Sequence, residues 1–170
     1  MAFRTGLGVR LRGAYLSMHR SFQAHCAQFG ATADQFVVLT MLAEEDGITQ
    51  QELARRIFSD PNTVTAMLTL LETRGLVTRE DHDADGRAWC VYLTAKGRRF
   101  QRTLNESANP LHARLRQAVP PEQLDTVLNI LQQIAEAMAP PEGRSRKAQS
   151  LKTIKPGNRV AAARALGRGK

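Results

Sequence analysis

Residues 49–75 read TQQELARRIFSDPNTVTAMLTLLETRG, and two helix-start signals divide this stretch. Thr49 and Glu52 have the spacing of a capping box, in which a hydroxyl and a carboxylate reciprocally bond the first free backbone amides of a helix. Ile48 and Leu53 stand where a hydrophobic staple would close that turn. The spacing predicts a short helix over 49–57. Asp60-Pro61 is the second signal, a cap followed by proline at the first helical position. From Pro61 to Arg74, Val64, Met67, Leu68 and Leu71 recur every three or four residues, the period of a buried helical stripe, and Gly75 ends the run. Two helices joined by Ile57-Phe58-Ser59-Asp60 make a helix-turn-helix.

Off the stripe, the second of these helices carries Asn62, Thr63, Thr65, Ala66 and Thr69, and no charged residue lies between Pro61 and Leu71. A helix face turned only to water is ordinarily rich in Glu and Lys. Small and amide side chains instead allow close approach, bond phosphates or base edges, and offer methyl groups to thymine. A helix also matches the width of the DNA major groove. The pattern favours DNA contact over a merely solvated face.

Working toward the C-terminus, the period changes after Gly75. Residues 76–80 and 88–94 read as two strands, and the polar segment 81–87 with its Asp85-Gly86 step reads as the turn of a hairpin. Arg87 follows Asp81, Asp83 and Asp85. A tip this acidic repels phosphates unless the arginine projects while an aspartate orients it, and arginine suits a narrow minor groove. The alternative is a solvated turn whose screened ion pairs contribute little. Thr94 can cap a long helix over 95–118, which Pro110 should kink or interrupt. Pro120-Pro121-Glu122 opens a last helix with Leu124, Val127, Leu128, Leu131, Ile134, Ala135 and Met138 on one face, and Pro140-Pro141 ends the packed part.

Toward the N-terminus, Thr32 and Gln35 form another capping box, before Phe36, Val37, Leu39, Met41 and Leu42; Glu44-Glu45-Asp46-Gly47 is a turn. Residues 9–29 read as an amphipathic helix with Leu11, Tyr15, Met18, Phe22 and Phe29 on one face, stopped by Gly30. Three short helices followed by a hairpin give a mainly α (α+β) class: a winged helix-turn-helix over 31–94, flanked by N- and C-terminal helices over 1–30 and 95–140.

The chain has 170 residues, 42% hydrophobic and 24% charged, which excludes global disorder. No apolar run reaches a membrane span, and Met1-Ala2-Phe3-Arg4 opens no secretory h-region, so a cytoplasmic location is expected. The net charge of +8 is concentrated at one end. Residues 141–170 hold Arg144, Arg146, Lys147, Lys152, Lys155, Arg159, Arg164, Arg168 and Lys170 against Glu142 alone, leaving 1–140 with equal numbers of basic and acidic side chains. With few large apolar residues, this tail is expected to be disordered in isolation and to suit non-specific phosphate contact. Cys26 and Cys90 are too few for a disulfide framework, and Cys26, though beside His25, reads as a buried structural residue rather than a redox sensor. His19, His25, His82 and His112 lie in no metal-binding motif, and no nucleophile elbow, P-loop or dinucleotide fingerprint is present. The expectation is a non-enzyme with no metal and no cofactor.

Residues 48–97 resemble the core of the MarR family of transcriptional regulators. The resemblance is carried by Thr49-Gln50-Gln51-Glu52-Leu53-Ala54, by Thr63-Val64-Thr65 with Leu71-Glu72-Thr73-Arg74-Gly75-Leu76-Val77, by Asp85-Gly86-Arg87-Ala88, and by Val91-Tyr92-Leu93-Thr94-Ala95-Lys96-Gly97. It implies a homodimer joined through the flanking helices, each subunit presenting one winged helix to half of a palindromic operator in double-stranded DNA. The family's wing arginine and its aspartate map onto Arg87 and Asp85. Gly86 and Leu70 stand where basic residues are common, while Arg55, Arg56 and Arg74 remain as phosphate candidates, the alternative for each being ordinary surface charge. The resemblance further implies a ligand-responsive repressor with a small aromatic or phenolic effector near 15–40 and 95–115, where Tyr15, His19, Arg20, Phe22 and Phe36 could supply aromatic walls and a cation. Two other readings stay open on the residues: a winged-helix protein-interaction module, and a non-specific nucleic-acid-coating protein driven by the tail.

Overall fold

The computed structural model describes residues 2–81 and 89–139. Asp83, Asp85 and Arg87 of the hairpin turn, and the basic tail over 141–170, lie outside the described residues. The chain divides between Glu122 and Gln123 into two units. The first contains α1 (Ala2–Ala27), α2 (Ala33–Glu44), β1 (Ile48–Thr49), α3 (Gln50–Arg56), α4 (Pro61–Thr73), β2 (Val77–Asp81), β3 (Trp89–Leu93), α5 (Ala95–Ser107) and α6 (Asn109–Gln117). A 3-10 turn at Pro121–Gln123 leads into α7 (Leu124–Met138), a helix described by itself. No described helix is long and apolar enough to cross a membrane.

The helix starts follow from their caps. Thr32 accepts from the backbone N–H of Gln35 at 3.1 Å while the Gln35 side chain accepts from the N–H of Thr32 at 3.2 Å, a complete capping box. Asp60 accepts from the N–H of Thr63 at 2.9 Å with Pro61 at the first position, and Thr94 accepts from the N–H of Gly97 at 2.9 Å. Each cap satisfies amide donors that a helix start otherwise leaves open.

Strands β1, β3 and β2 lie in that spatial order, antiparallel throughout. Val77 pairs with Leu93 and Asp81 with Trp89, while Ile48 pairs with Val91 on the other side. The core joins these elements: Leu39 and Leu42 of α2, Leu53 of α3, Val64, Leu68 and Leu71 of α4, Val91 of β3 and Leu104 of α5 are all fully buried in one cluster. Burying each such side chain stabilises by about 1.5–3 kcal/mol.

The sequence reading departs from the structure in three places. The first helix begins at Ala2, earlier than 9, and ends at Ala27, so Phe29 lies in the turn beyond it. Ile48–Thr49 form a third strand that the sequence reading did not include, because two residues carry no periodicity and their partner lies far along the chain. The interruption expected from Pro110 is present: the stretch over 95–118 is two helices separated at Ala108, with Pro110 in the first turn of α6, where its missing N–H costs nothing. The capping box at Thr49 is half formed. Thr49 accepts from the N–H of Glu52 at 3.2 Å, but the Glu52 carboxylate turns to Arg55 and Arg56.

Candidate nucleic-acid interface

Helix α4 is divided as its sequence predicts. Val64, Leu68 and Leu71 are fully buried, whereas Asn62, Thr63, Thr65, Ala66 and Thr69 are exposed. Leu70 shares the exposed side at 57%. The hydroxyls are already committed. Thr65 donates to the Pro61 carbonyl at 2.8 Å, Thr69 to the Thr65 carbonyl at 2.9 Å, and Thr73 continues the series by donating to Thr69. Back-bonding of this kind leaves a rail of methyl groups and oxygen lone pairs along the surface. The Thr63 hydroxyl donates to Asp60, and these bonds hold the Asp60 carboxyl below its ordinary pKa. Asn62, in the first turn, has a side-chain amide without a hydrogen-bond partner among the described residues. It is the one group on this face with both a donor and an acceptor to give. The face is uncharged, amide-tipped at its N-terminal end and methyl-lined beyond.

Three arginines proposed as phosphate contacts have partners inside the protein. Arg55 makes a two-point contact with Glu52 at 2.8 and 2.7 Å; Arg56 reaches Glu52 at 2.6 Å and Glu45 at 2.5 Å. Hydrogen bonds from Arg55, then Arg56, pull the Glu52 carboxyl down to about 2. The Arg55 side chain is 70% exposed. Arg74 donates to the Gly30 carbonyl at 2.8 Å and lies 5.1 Å from the centre of the Phe100 ring, which ties the end of α4 to the α1–α2 turn and to α5. Arg79 of β2, which the sequence reading left aside, pairs with Glu72 of α4 and reaches Gln50 of α3 at 3.4 Å. The Arg79 bond lowers the Glu72 pKa. Helix α4, helix α3 and strand β2 are thereby joined by one polar bridge.

Behind α4 lies a cavity of about 520 Å³. Tyr15, Met18, His19 and Phe22 of α1, Phe36, Thr40 and Met41 of α2, and His112 and Leu115 of α6 line it, with Ile57, Phe58 and Ser59 of the turn and Thr63 and Met67 of α4. Four of the five proposed effector residues therefore share one cavity, while Arg20 does not line it. His112 and Thr40 are additions. The only signal for Thr40 was a hydroxyl inside the apolar run Phe36 to Leu42; His112 carried none. Phe58 is 74% exposed and has φ of 54°, a left-handed conformation uncommon for a bulky residue. Cys26 and Cys90 are buried, and burial pushes the Cys26 thiol up, the reverse of what a sensor thiol needs.

The model of the MarR family matches residues 31–89. Transcriptional regulator HosA of Escherichia coli O111:H- is 35% identical over 92 residues, 51% of this chain and 68% of HosA. The solved structure of the transcriptional repressor CouR bound to a 23-mer DNA duplex superposes with a TM-score of 0.68 at 30% identity, covering 79% of this chain and 95% of CouR. The chain belongs to the MarR family. A further relative, the HTH-type transcriptional regulator TtmR of Methylorubrum extorquens (strain PA1), is 37% identical over 79 residues, 46% of this chain but 40% of TtmR, so the match spans less than half of that protein. The MarR model covers α2 through the start of β3, the part that holds both the α4 face and the turn beneath the cavity.

Proposed function

We propose that this MarR-family protein is a sequence-specific, homodimeric, ligand-responsive repressor that binds a palindromic operator. The observation that carries the reading is the uncharged exposed face of α4, with Asn62 in its first turn. An amide there can bond adenine at both N6 and N7 of its major-groove edge, the threonine methyls pack on thymine, and the lack of long charged side chains lets the helix lie deep in the groove. Arg87, oriented by Asp85, would enter the adjacent minor groove, with Arg55 and Arg56 on flanking phosphates. Arg74 contributes mainly by fixing the end of α4.

A second copy of the chain accounts for the apolar surface of the flanking helices. Tyr15 and Met18 of α1 and Leu128, Ile130 and Leu131 of α7 are between 40% and 55% exposed. Two copies related by a dyad would place two α4 helices about 34–36 Å apart, one turn of duplex DNA. The cavity supports the regulatory part: Thr63 and Met67 belong both to its lining and to α4, so an occupant acts on the DNA-reading helix directly. It would shift the population toward dimers with the wrong helix spacing, to the extent that it binds those dimers more tightly.

The test is binding of the full-length protein to the DNA upstream of its own gene and to a shuffled duplex. A preference of about a thousandfold is expected. Arg87→Ala should lose at least about tenfold in affinity, about 1.4 kcal/mol. Equal binding to both duplexes would instead support a nucleic-acid-coating protein, and no binding to either an interaction module.

A further inference from the structure

We propose that Arg79 is a positioning residue for DNA binding: by bonding Glu72 of α4 and Gln50 of α3 it fixes the angle at which the β2–β3 hairpin leaves the helices, and so how the turn that carries Arg87 meets DNA. This role rests on the reading of α4 and Arg87 as DNA contacts. Side chains alternate along β2, so Val77 and Arg79 share one face while Thr78 and Glu80 take the other, where both are exposed. Val77 lies in the core and holds the strand where it enters the sheet. Farther out, the apolar attachment on this face ends: Val91, paired with Arg79, is buried, but Trp89, two residues away on β3, is 47% exposed. Among the described side chains, Arg79 is therefore the outermost on β2 that ties the hairpin to a helix.

The geometry of the bridge suits an angular constraint. Arg79 Nε and Nη2 donate to the Glu72 carboxylate, Nε at 3.1 Å, while Nη1 donates to the Gln50 amide oxygen at 3.4 Å. A planar guanidinium held on two helices at once resists both sliding and rocking of the strand that carries it, which the point charge of a lysine would not. The Arg79 and Glu72 side chains are 22% and 37% exposed, so the pair is screened less than one in open solvent. Arg79 is also committed to these partners, unlike a cation turned outward to a phosphate. Rocking of β2 and β3 about Val77 would carry their connecting turn with them, and a narrow minor groove attracts an arginine only where the side chain reaches it.

The experiment is a double-mutant cycle on the full-length protein, read as affinity for the DNA upstream of its own gene and for a shuffled duplex. Arg79→Met should lose about tenfold or more in specific affinity when Arg87 is present, and no more than about twofold in the Arg87→Ala chain. Affinity for the shuffled duplex should stay within about twofold of wild type in every variant. Glu72→Gln should weaken specific binding too and couple to Arg87→Ala in the same way. This second variant sets positioning apart from charge. Were Arg79 a phosphate contact, removing the base would weaken binding to both duplexes and removing the acid would strengthen it. Glu72→Gln also decides alone if Arg79→Met fails to fold. Equal losses with and without Arg87, tighter binding by Glu72→Gln, or wild-type specific affinity in both variants would each overturn the role of Arg79 and leave the repressor reading standing. Unchanged specific affinity in Arg87→Ala alone overturns the reading of the wing arginine together with the role of Arg79.

Discussion

Gly97 has no room for a side chain. A Cβ built there would lie 1.9 Å from the Leu76 carbonyl oxygen and 3.2 Å from a Leu93 methyl, because the first turn of α5 presses on the entry to β2. That contact anchors the base of the wing, where the Thr94 hydroxyl also donates to the Gly75 carbonyl at 2.7 Å. Since the obstacle is backbone, Gly97→Ala should destabilise by about 2–3 kcal/mol, read as a lower urea midpoint at unchanged slope. Glu52 gives a pH dependence. Its carboxyl is held at about 2 against an ordinary 4.5 by Arg55 and Arg56. A lowered folded pKa stabilises above the unfolded value, and that stabilisation is lost as pH falls toward the folded one. Stability should therefore decline as pH drops from 4.5 toward 2, with Glu45, Asp60 and Glu72 acting in the same direction. Denaturation across this range should be less pH-dependent in Glu52→Gln; equal dependence in the two proteins would show that the pairs with Arg55 and Arg56 do not form.

The helices were legible because their signals are local. Thr32, Asp60 and Thr94 each cap the helix that follows, and the stripe of Val64, Leu68 and Leu71 specifies which side of α4 is buried. From that stripe the exposed set on α4 followed without coordinates. What was not legible depends on partners distant in the chain. Strand β1 exists only because Ile48 meets Val91, and Arg79 matters only because β2 returns beside α4 to reach Glu72. The cavity is the extreme case: α1, α2, α4 and α6 each give it residues, and nothing in the sequence near His112 announces Thr40. Glu52 shows local reasoning outweighed by charge, since a capping box and two arginines compete for one carboxylate and the arginines hold it. Helix α7 supports a prediction of its own. Leu128 and Leu131 are 54% and 46% exposed, an apolar strip that a soluble helix seldom leaves uncovered. Leu131→Glu should shift the protein from dimer to monomer in sedimentation at micromolar concentration, and an unchanged sedimentation coefficient would remove α7 from the subunit interface.

The charge of this regulator is divided between two kinds of surface. Nine basic residues lie beyond Pro141, whereas the first 140 residues are balanced and include the uncharged exposed face of α4. Binding that depends on the tail should fall steeply with salt and ignore sequence; binding that depends on α4 should keep its sequence preference as salt rises. Ala66 separates the two contributions. It is exposed in the middle of the α4 face and makes no core contact, so a glutamate there suits the helix and should change stability by no more than about 0.5 kcal/mol. The decisive measurement is the affinity of full-length Ala66→Glu for the upstream DNA of its own gene, beside its thermal midpoint. Loss of roughly a hundredfold or more in specific affinity with an unchanged midpoint is the predicted result, because a carboxylate would then face base edges and phosphates. Wild-type affinity in this variant would contradict the account, since the face assigned to the major groove could then not be the one that touches DNA.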